Sequence, residues 1–336
     1  MIKVICVKNV TNKTIDITNI IKNDMKLKKS INEFAWVLDF SITKNKDFFN
    51  IDIGDVMVVK HQTQEIFSGI VLSGNTTTLS FKAIDYTFYF AQNKEIYQFE
   101  NVESSIVVQK IIESLGGKIG EIEATNTMVD TFYFNKTLGD IIKEIINNIK
   151  GLENQDFRFF YKNGTFNFKR SEKNKYLRKE YTPKDYLKSI LNDYTFNALT
   201  YIEEPLKNRS MEKLRNSIKV YKNKGNEYTQ LGEAKDSDSI KKYGIIQDII
   251  SVKENEINTA KARAGNILKD KNKITEKISV KIPVLSEFLY PGELLKLKYT
   301  DYDIDGVYEV ESISYTIDIK KFFKANIELL KVEEEG

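Results

Sequence analysis

The sequence has few of the residues on which protein chemistry most often depends. Its 336 residues include one cysteine, Cys6, and one histidine, His61. A single cysteine cannot close an intrachain disulfide, and no cluster of cysteine and histidine residues is present to hold a structural zinc ion. A Ser-His-Asp triad would have to use His61, which follows Lys60 in a predicted hairpin of polar residues. A solvated turn histidine is the favoured interpretation, because a general base needs a placed partner.

The sequence also lacks an excess of charge of one sign and any long apolar run. It has 51 Lys and Arg against 48 Asp and Glu, which gives a net charge of +3. This balance gives no electrostatic reason to bind nucleic acid or anionic lipid. No stretch approaches the roughly 20 apolar residues of a membrane helix, and the N-terminus is charged too early for a signal peptide. We therefore expect a soluble protein made in the cytoplasm, with no membrane partner and no sequence-specific nucleic-acid partner.

What the sequence does contain indicates an ordered, mainly β chain. Its length allows two or three domains, and 41% apolar residues with only four prolines argue against disorder. In residues 34–43 every second residue, beginning with Phe34, is a large apolar one, whereas the residues between them are of mixed type. This period of two is typical of a strand with one buried face. Gly74-Asn75 lies between two further strand-like runs and predicts a tight hairpin there. The first hundred residues are predicted to be mostly strands.

The middle of the sequence changes to helical periodicity. Asn101 is a candidate cap for a helix that ends at Gly116, and Thr137 is a candidate cap for a second helix that ends at Gly151. Asn163-Gly164 then lies between two aromatic-rich runs and is the strongest short-range hairpin signal in the chain. Two helices and a hairpin predict a small α+β module.

The last third returns to strand patterns, interrupted by one helix predicted over residues 256–269. The sequence as a whole predicts an α+β, mainly β fold with three parts. These are residues 1–100, mostly strands, residues 101–205, an α+β insertion, and residues 206–336, mostly strands with one helix.

A weak internal repeat links the two β regions. Gly54 is followed by an acid, a strand and then Gly69; Gly292 is likewise followed by an acid, a strand and then Gly306. Both copies have the order glycine, acid, strand, turn, glycine, strand. Two unrelated hairpins remain the alternative, because short β patterns recur by chance.

Two groups of acidic residues are candidate sites. Asp301, Asp303 and Asp305 match the first half of a calcium loop, but the twelfth position is Ser312 and strands flank the loop, so an acidic β turn is favoured. Glu203-Glu204 and the pair Asp236 and Asp238 would suit a glycosidase only at a separation of about 5–10 Å, which a sequence does not set. Among 48 acids, surface solvation is the default, and we expect no catalytic, metal-binding or cofactor-binding residues.

Several segments together resemble one family in order along the chain. They are Gly54-Asp55 to Val71, Ala83 to Tyr86, Asn93 to Tyr97, Leu214 to Val220, Ser239 to Gln247, the alanine-rich helix Ala260 to Leu268, and Pro291-Gly292-Glu293. The sequence resembles the XkdQ/YqbQ-like baseplate hub proteins of contractile phage tails, PBSX-like defective prophages and R-type tailocins. Two departures stand out: no peptidoglycan-cleaving domain is expected, and a position late in the final hairpin that is usually polar or His is Tyr315.

This resemblance implies two tail-tube-like β-barrel domains, separated by the α+β insertion, in a non-enzymatic homotrimer. Such a hub adapts a six-fold inner tail tube protein to a three-fold central spike protein and contacts baseplate wedge and tape-measure proteins. It also gives the repeat a purpose, because a closed ring needs like surfaces at each step. The alternatives are a tail-associated peptidoglycan glycosidase and the spike hub of a related secretion system, which would carry a long β-helical needle.

Overall fold

The computed structural model describes most of the chain. The described residues are 2–22, 24–31, 33–44, 50–170, 178–181, 203–224, 227–252, 254–285, 289–299, 302–319 and 323–332. No helix within these ranges is long and apolar enough to cross a membrane.

Strands dominate the described residues. In chain order they are β1 (Ile2–Val7), β2 (Thr14–Asp16), β3 (Met25–Ser30), β4 (Val37–Ser41), β5 (Val56–His61), β6 (Gln64–Asn75), β7 (Ser80–Asp85), β8 (Tyr97–Glu103), β9 (Ile119–Ile122), β10 (Met128–Tyr133), β11 (Phe157–Lys162), β12 (Thr165–Arg170), β13 (Arg178–Tyr181), β14 (Glu203–Ser210), β15 (Ser217–Lys224), β16 (Glu227–Lys235), β17 (Gln247–Val252), β18 (Thr275–Leu285), β19 (Leu294–Tyr299), β20 (Ile304–Ile317) and β21 (Phe323–Val332). The helices are α1 (Phe88–Gln92), α2 (Ser104–Ser114), α3 (Leu138–Glu153), α4 (Ser237–Tyr243) and α5 (Ala260–Lys271), with 3-10 turns at Thr18–Ile20 and Glu254–Thr259. The mainly β class predicted from the sequence is confirmed.

One 13-stranded sheet runs through both ends of the chain. Its strand order is β14-β18-β21-β20-β3-β4-β7-β6-β5-β1-β2, with β19 paired to β20 and β13 paired to β19. Within the described ranges, the first seven strands therefore pair with the last strands at one place, between β3 and β20. The alternation predicted for residues 34–43 is found here, since Leu38 and Phe40 of β4 are buried.

The hydrophobic core of this sheet takes residues from both ends of the chain. Buried side chains of the first seven strands and of β18 to β21 form one continuous cluster, which includes Met25, Leu27, Tyr308 and Tyr315. Burial of an apolar side chain contributes about 1.5–3 kcal/mol, so a shared cluster of this size ties the two halves together.

The α+β insertion has a core of its own. Helices α1 to α3 pack with two small sheets, β8-β10 and β11-β12-β9. The predicted hairpin is present: Asn163 and Gly164 have φ values of +50° and +82° and connect β11 to β12. Positive φ at both central residues is the geometry that Asn-Gly favours. The second predicted helix is also present as α3, with Asn154 in the left-handed conformation at its end.

A fourth sheet in the described part of the chain is not predicted by the sequence pattern. Strands β16, β15 and β17 pair with each other rather than with the 13-stranded sheet, and α5 packs on them through Ala260 and Ala264. The sequence pattern predicts a run of barrel strands with one helix here, whereas the structure has α4 as a second helix. That helix is short and polar, so it has little apolar periodicity, and its capping by Asp236 is its main sequence signal.

Two further boundaries differ from the prediction. Asn101 does not cap α2, which begins at Ser104; Asn101 instead lies in β8 with a φ of +52°. The turn after β6 lies at residues 76–79 rather than at Gly74-Asn75, and the Asn75 side chain accepts hydrogen bonds from the amides of Thr77 and Thr78. Asparagine suits both caps and turns, so its presence alone does not locate either. Here one asparagine takes a positive φ within a strand, and the other supports the turn that follows it.

The N-terminal cap of α3 gives a direct test of how this helix is stabilised. Thr137 Oγ1 accepts a hydrogen bond of 3.0 Å from the Asp140 amide. We expect Thr137→Ala to lower the free energy of unfolding by about 1 kcal/mol, measured by urea denaturation, because one amide at the helix start loses its acceptor. The control Thr137→Ser keeps the hydroxyl and should retain most of that stability. Equal losses in the two variants would contradict the assignment of the cap.

Candidate functional site

The contact between β3 and β20 is the point where the two halves of the 13-stranded sheet meet. The strands are antiparallel, with Met25 opposite Ile317 and Ser30 opposite Ser312. The ladder continues one step further, because the Ile31 amide donates to the Glu311 carbonyl at 2.7 Å. Side chains on the inner face of this ladder are fully buried and belong to the shared core. Apolar contacts as well as backbone hydrogen bonds therefore stabilise the β3–β20 pairing.

Tyr315, the position where the sequence departed from its family pattern, lies in this ladder. It faces Leu27 and is fully buried. Its hydroxyl donates to the Leu289 carbonyl at 2.8 Å and accepts from the Leu289 amide at 2.6 Å. A buried tyrosine needs such a partner for its hydroxyl. Tyr315 thus fixes the backbone just before the Pro291-Gly292 turn.

The two glycine turns predicted to be related have the same local structure. Gly54 and Gly292 have φ values of +88° and +85°. In the first turn the Gly54 amide donates to the Val71 carbonyl, and the Val71 amide donates to the Asp55 carbonyl. The residues that make the same two bonds in the second turn are Gly292, Val310 and Glu293.

The second glycine of each predicted copy does not occupy an equivalent position. Gly69 lies opposite Met57, the second residue of β5, whereas Gly306 lies opposite Leu297, the fourth residue of β19. Their structural requirements also differ. A Cβ atom on Gly69 would approach the Ile84 carbonyl oxygen to 2.2 Å, while Gly306 has a φ of +134°. The structure therefore aligns Gly69 with Tyr308, two residues further along than the sequence pattern suggested.

The second glycine turn is held by an arginine from the insertion. Arg158 of β11 donates to the Pro291 carbonyl at 2.8 Å and to the Gly292 carbonyl at 2.6 Å, and it forms an ion pair of 2.9 Å with Glu309. These are charge-assisted bonds, which are stronger than neutral ones. The sequence analysis missed Arg158; its only sequence signal is a charged residue between the apolar residues of a strand.

The first glycine turn is held by Lys8, which directly follows β1. Asp55 is only 2% exposed, and its carboxylate accepts hydrogen bonds from Lys8 Nζ at 2.5 Å, from the Asp52 amide at 2.8 Å and from the Asn9 amide at 3.1 Å. Burial acts to raise the pKa of Asp55, but Lys8 and the two amides outweigh it and the pKa is lowered. Asp55 therefore stays ionised inside the fold.

A cleft of about 1380 Å³ separates the insertion from the N-terminal strands. Its lining residues include Lys29, Trp36, His61, Asp85, Arg158 and Tyr290. Asp85 is the deeply buried acid here, and burial raises its pKa although the positive charge of Lys29 opposes this. Its two oxygens already accept hydrogen bonds from the Trp36 amide and from the amide and hydroxyl of Thr87.

His61 lies at the end of β5, where burial lowers its pKa. It pairs with Ile2 of β1 and with Gln64 across the turn to β6. The imidazole is therefore part of a hairpin end at the rim of the cleft, as its polar sequence neighbours indicated.

Of the acidic turn, Asp303 lies just before β20, within the connection from β19. Asp301 lies outside the described residues, and Asp305 is in β20. The Asp303 carboxylate accepts a 3.0 Å hydrogen bond from Lys207, which lowers the pKa of Asp303. In the part of the chain that the structure describes, no group of three or more His, Cys, Asp and Glu residues is arranged to hold a metal ion.

The carboxylate pairs considered for a glycosidase have other local surroundings. Asp236 caps α4: its Oδ1 atom accepts from the Asp238 amide at 2.9 Å, and its Oδ2 atom accepts from Asn272 at 2.9 Å. Asp238 is exposed. The backbone of Glu203-Glu204 is in β14, and their side chains lie outside the described part.

The two glycine turns allow a matched test of the Arg158 contact. A Cβ atom on Gly292 would lie 1.7 Å from the Arg158 guanidinium, whereas one on Gly54 would meet its nearest neighbour, Asn9, at 3.2 Å. We expect Gly54→Ala to lower the free energy of unfolding by about 1–2 kcal/mol, because φ is positive there. Gly292→Ala should lower it by about 3–5 kcal/mol, because charge-assisted hydrogen bonds are lost as well.

A double-mutant cycle supplies the control for that pair. In an Arg158→Ala background the Gly292→Ala change should lose its extra cost and match Gly54→Ala. Chemical denaturation measures these differences in six proteins: the parent, the three single variants, and the two double variants that combine Arg158→Ala with one glycine substitution. An unchanged gap between the two glycine variants without Arg158 would show that the guanidinium is not the cause.

The Asp55 site predicts a pH-dependent contribution to stability. A carboxylate with a lowered pKa stabilises the fold above its unfolded value of about 4, and this stabilisation is lost as the pH falls through the folded pKa. We expect Asp55→Asn to lower the free energy of unfolding by about 3–5 kcal/mol at pH 7, because Lys8 and the amides lose a buried charge. The difference from the parent protein should shrink below pH 4 in urea denaturation. A difference that is constant from pH 7 to pH 3 would contradict an ionised, paired Asp55.

Known proteins resemble this chain in sequence and in fold. The family model described as YQBQ-like matches residues 25–328. The Bacillus subtilis (strain 168) protein YqbQ is 22% identical over 217 residues, which cover 63% of this chain and 61%, less than two thirds, of that protein.

Two solved structures share the fold over almost the whole chain. A tail protein from Neisseria meningitidis MC58 is 13% identical, with a TM-score of 0.67, and the match covers 98% of this chain and 96% of that one. The Escherichia coli c3393 protein, described as a type VI secretion component that is structurally similar to the T4 bacteriophage tail proteins gp27 and gp5, is 9% identical. Its TM-score is 0.53, and the match covers 99% of this chain and 77% of that one.

Proposed function

The chain belongs to the YQBQ-like family, and on that premise we propose that it is the structural hub of a contractile tail or tailocin baseplate. In this role it forms a homotrimer that adapts a six-fold inner tail tube to a three-fold central spike. The observation that carries the proposal is the β3–β20 ladder, which joins two like sets of strands into one sheet.

The like sets of strands support a repeat of the hub type. The order β3-β4-β7-β6-β5 in the first half corresponds to the order β14-β18-β21-β20-β19 in the second half. The two glycine turns, Gly54 and Gly292, begin corresponding strands in the two sets, β5 and β19. We propose that each set is one tube-like domain. A trimer of such chains presents six like units, so it can match a six-fold ring on one side and a three-fold spike on the other.

The proposed division keeps the domains expected from the sequence. We propose residues 1–100 and 206–336 for the two tube-like domains and residues 101–205 for the insertion. Across these bounds, α1 and β8 pack in the core of the insertion, and β13 pairs with β19 of the second domain. The sheet of β15 to β17 is then an elaboration within the second tube-like domain. Arg158 supports this arrangement, because it fastens the insertion to the glycine turn of the second domain.

The partners follow from this role. We propose that the chain binds the inner tail tube protein, the central spike protein, and baseplate wedge and tape-measure proteins. It would be made in the bacterial cytoplasm and assembled into the baseplate of a phage or phage-tail-like particle. The fold shared with a tail protein and with a secretion component related to tail proteins supports this assignment.

We also propose that the hub acts without catalysis. Three of the acids described above have structural roles: Asp236 caps a helix, Asp303 pairs with Lys207, and Asp85 accepts three hydrogen bonds from its neighbours. The purified protein should therefore release no more soluble sugar from bacterial cell walls than buffer does. Lysis that Asp85→Asn abolishes would favour the glycosidase alternative instead.

Association of the chain tests the hub proposal itself. We expect light scattering to show a concentration-dependent shift from monomer to trimer, completed when subunits of the inner tube protein are added. Electron microscopy of that mixture should show rings of the hub at the end of short tubes, with tube subunits alone as the control. A strict monomer that binds no tube subunits at high concentration would overturn the proposal.

A further inference from the structure

The two sets of strands share one irregularity in their pairing. The β6–β7 ladder shifts register between Val71 and Ser73, and the β20–β21 ladder shifts between Val310 and Ser312. Each shift is a β-bulge that directly follows the residue bonded to a glycine turn, Val71 in β6 and Val310 in β20. These two bulges fix the alignment of β6 with β20. The end of β6, Ser73 to Asn75, therefore corresponds to Ser312 to Ser314 of β20.

The partner of that part of β20 has its own counterpart. Ser312 to Ser314 of β20 pair with Ser30 to Lys28 of β3. Strand β3 is next to β4 in the first set, as β14 is next to β18 in the second. Tracing the registers through the two sets aligns Lys28 with Asn208 and Ser30 with Ser210.

Within one chain, β3 of the first set pairs with β20 of the second set. The corresponding pairing would join β14 of the second set to the end of β6 of the first set, and the described part of one chain does not make it. Among the described residues, the end of β6 pairs only with β7, and β14 pairs only with β18. Ser73, Gly74 and Asn75 are exposed, and a groove of about 440 Å³ beside them is lined by Asp24, Lys26 and Asp39 among others. An unpaired strand edge is a template for another strand.

We propose that β14 of one copy of this chain pairs antiparallel with the end of β6 in the next copy. The expected register places Ser73 opposite Ser210, Gly74 opposite Arg209, and Asn75 opposite Asn208. This inference rests on the proposed function in so far as that function supplies a ring of copies. The contact repeats between chains what the β3–β20 ladder does within one chain, so a ring closes with one type of junction throughout.

The contact between chains is weaker than the contact within the chain. The β3–β20 ladder pairs six residues and buries Met25, Leu27, Tyr315 and Ile317. Strand β6 ends at Asn75, so its ladder with β14 has room for about half as many pairs, and the counterparts of Tyr315 and Ile317 are turn residues. A short polar ladder adds little net stability, because its hydrogen bonds replace bonds to water. The ring therefore closes at high concentration or on the tube, while a single copy stays folded.

A disulfide between copies tests the register directly. Ile31 and Glu311 share a hydrogen bond, so the next pair, Ser30 and Ser312, is a non-hydrogen-bonded pair with Cα atoms about 4.5 Å apart. The corresponding pair between copies is Ser73 and Ser210, at a separation that a disulfide spans. The variant carries Ser73→Cys and Ser210→Cys, both close in size to serine. The native Cys6 is fully buried, which keeps it from competing.

We expect mild oxidation of this variant with the inner tube protein present to convert most of the chain into a covalent trimer on a non-reducing gel. The matched control carries Ser73→Cys with Leu206→Cys, which lies on the same strand four residues from the predicted partner and is also exposed. That control should remain mostly monomeric on the gel. Circular dichroism of both variants confirms that they fold as the parent does.

The outcomes separate this inference from the proposed function. A trimer by light scattering that forms no covalent link through Ser73 and Ser210, or that links equally well in the control, overturns the β6–β14 register and leaves the hub role in place. A chain that remains monomeric and binds no tube subunits overturns both. Covalent trimers from the test pair alone support both.

Discussion

The antiparallel ladder between β3 and β20 is the contact on which the rest of the structure depends. It turns two sets of strands, far apart in the sequence, into one sheet with one hydrophobic core. Tyr315, which lies in the ladder, also holds the backbone that leads into the Gly292 turn. Arg158 then fastens the insertion to that turn. The β3–β20 ladder thus positions the Gly292 turn through Tyr315, and that turn positions the insertion through Arg158.

The two glycine turns show how a repeated backbone can be stabilised by different side chains. Both turns have the same positive φ and the same pair of backbone hydrogen bonds. The first is held by Lys8, which directly follows β1, and the second by Arg158 from the insertion. The two turns therefore share a backbone geometry, whereas the side chains that hold them differ.

Much of the fold was predictable because its signals are local. Asn163-Gly164 required a hairpin with positive φ, and Thr137 marked the start of α3, so the structure agrees with both predictions. The mainly β class and the resemblance to the YqbQ-like group are likewise confirmed. The separate sheet of β16, β15 and β17 and the contacts of Arg158 were not predictable, since strand partners and ion pairs between distant segments leave no periodic signal. The sequence pattern makes Gly69 and Gly306 equivalent, but the strand register places them two residues apart. Strand register cannot be read from the sequence.

The distance along the chain between the partners of the β3–β20 ladder has a consequence for synthesis. Ser30 and Ser312 are opposite each other although 282 residues separate them in sequence. A ribosome adds about 5–20 residues per second, so β3 emerges roughly a quarter of a minute to a minute before its partner. Contacts of such long range form late in folding. During that interval the nascent chain presents an open β edge and half of a core, and it is then that a chaperone has most to protect.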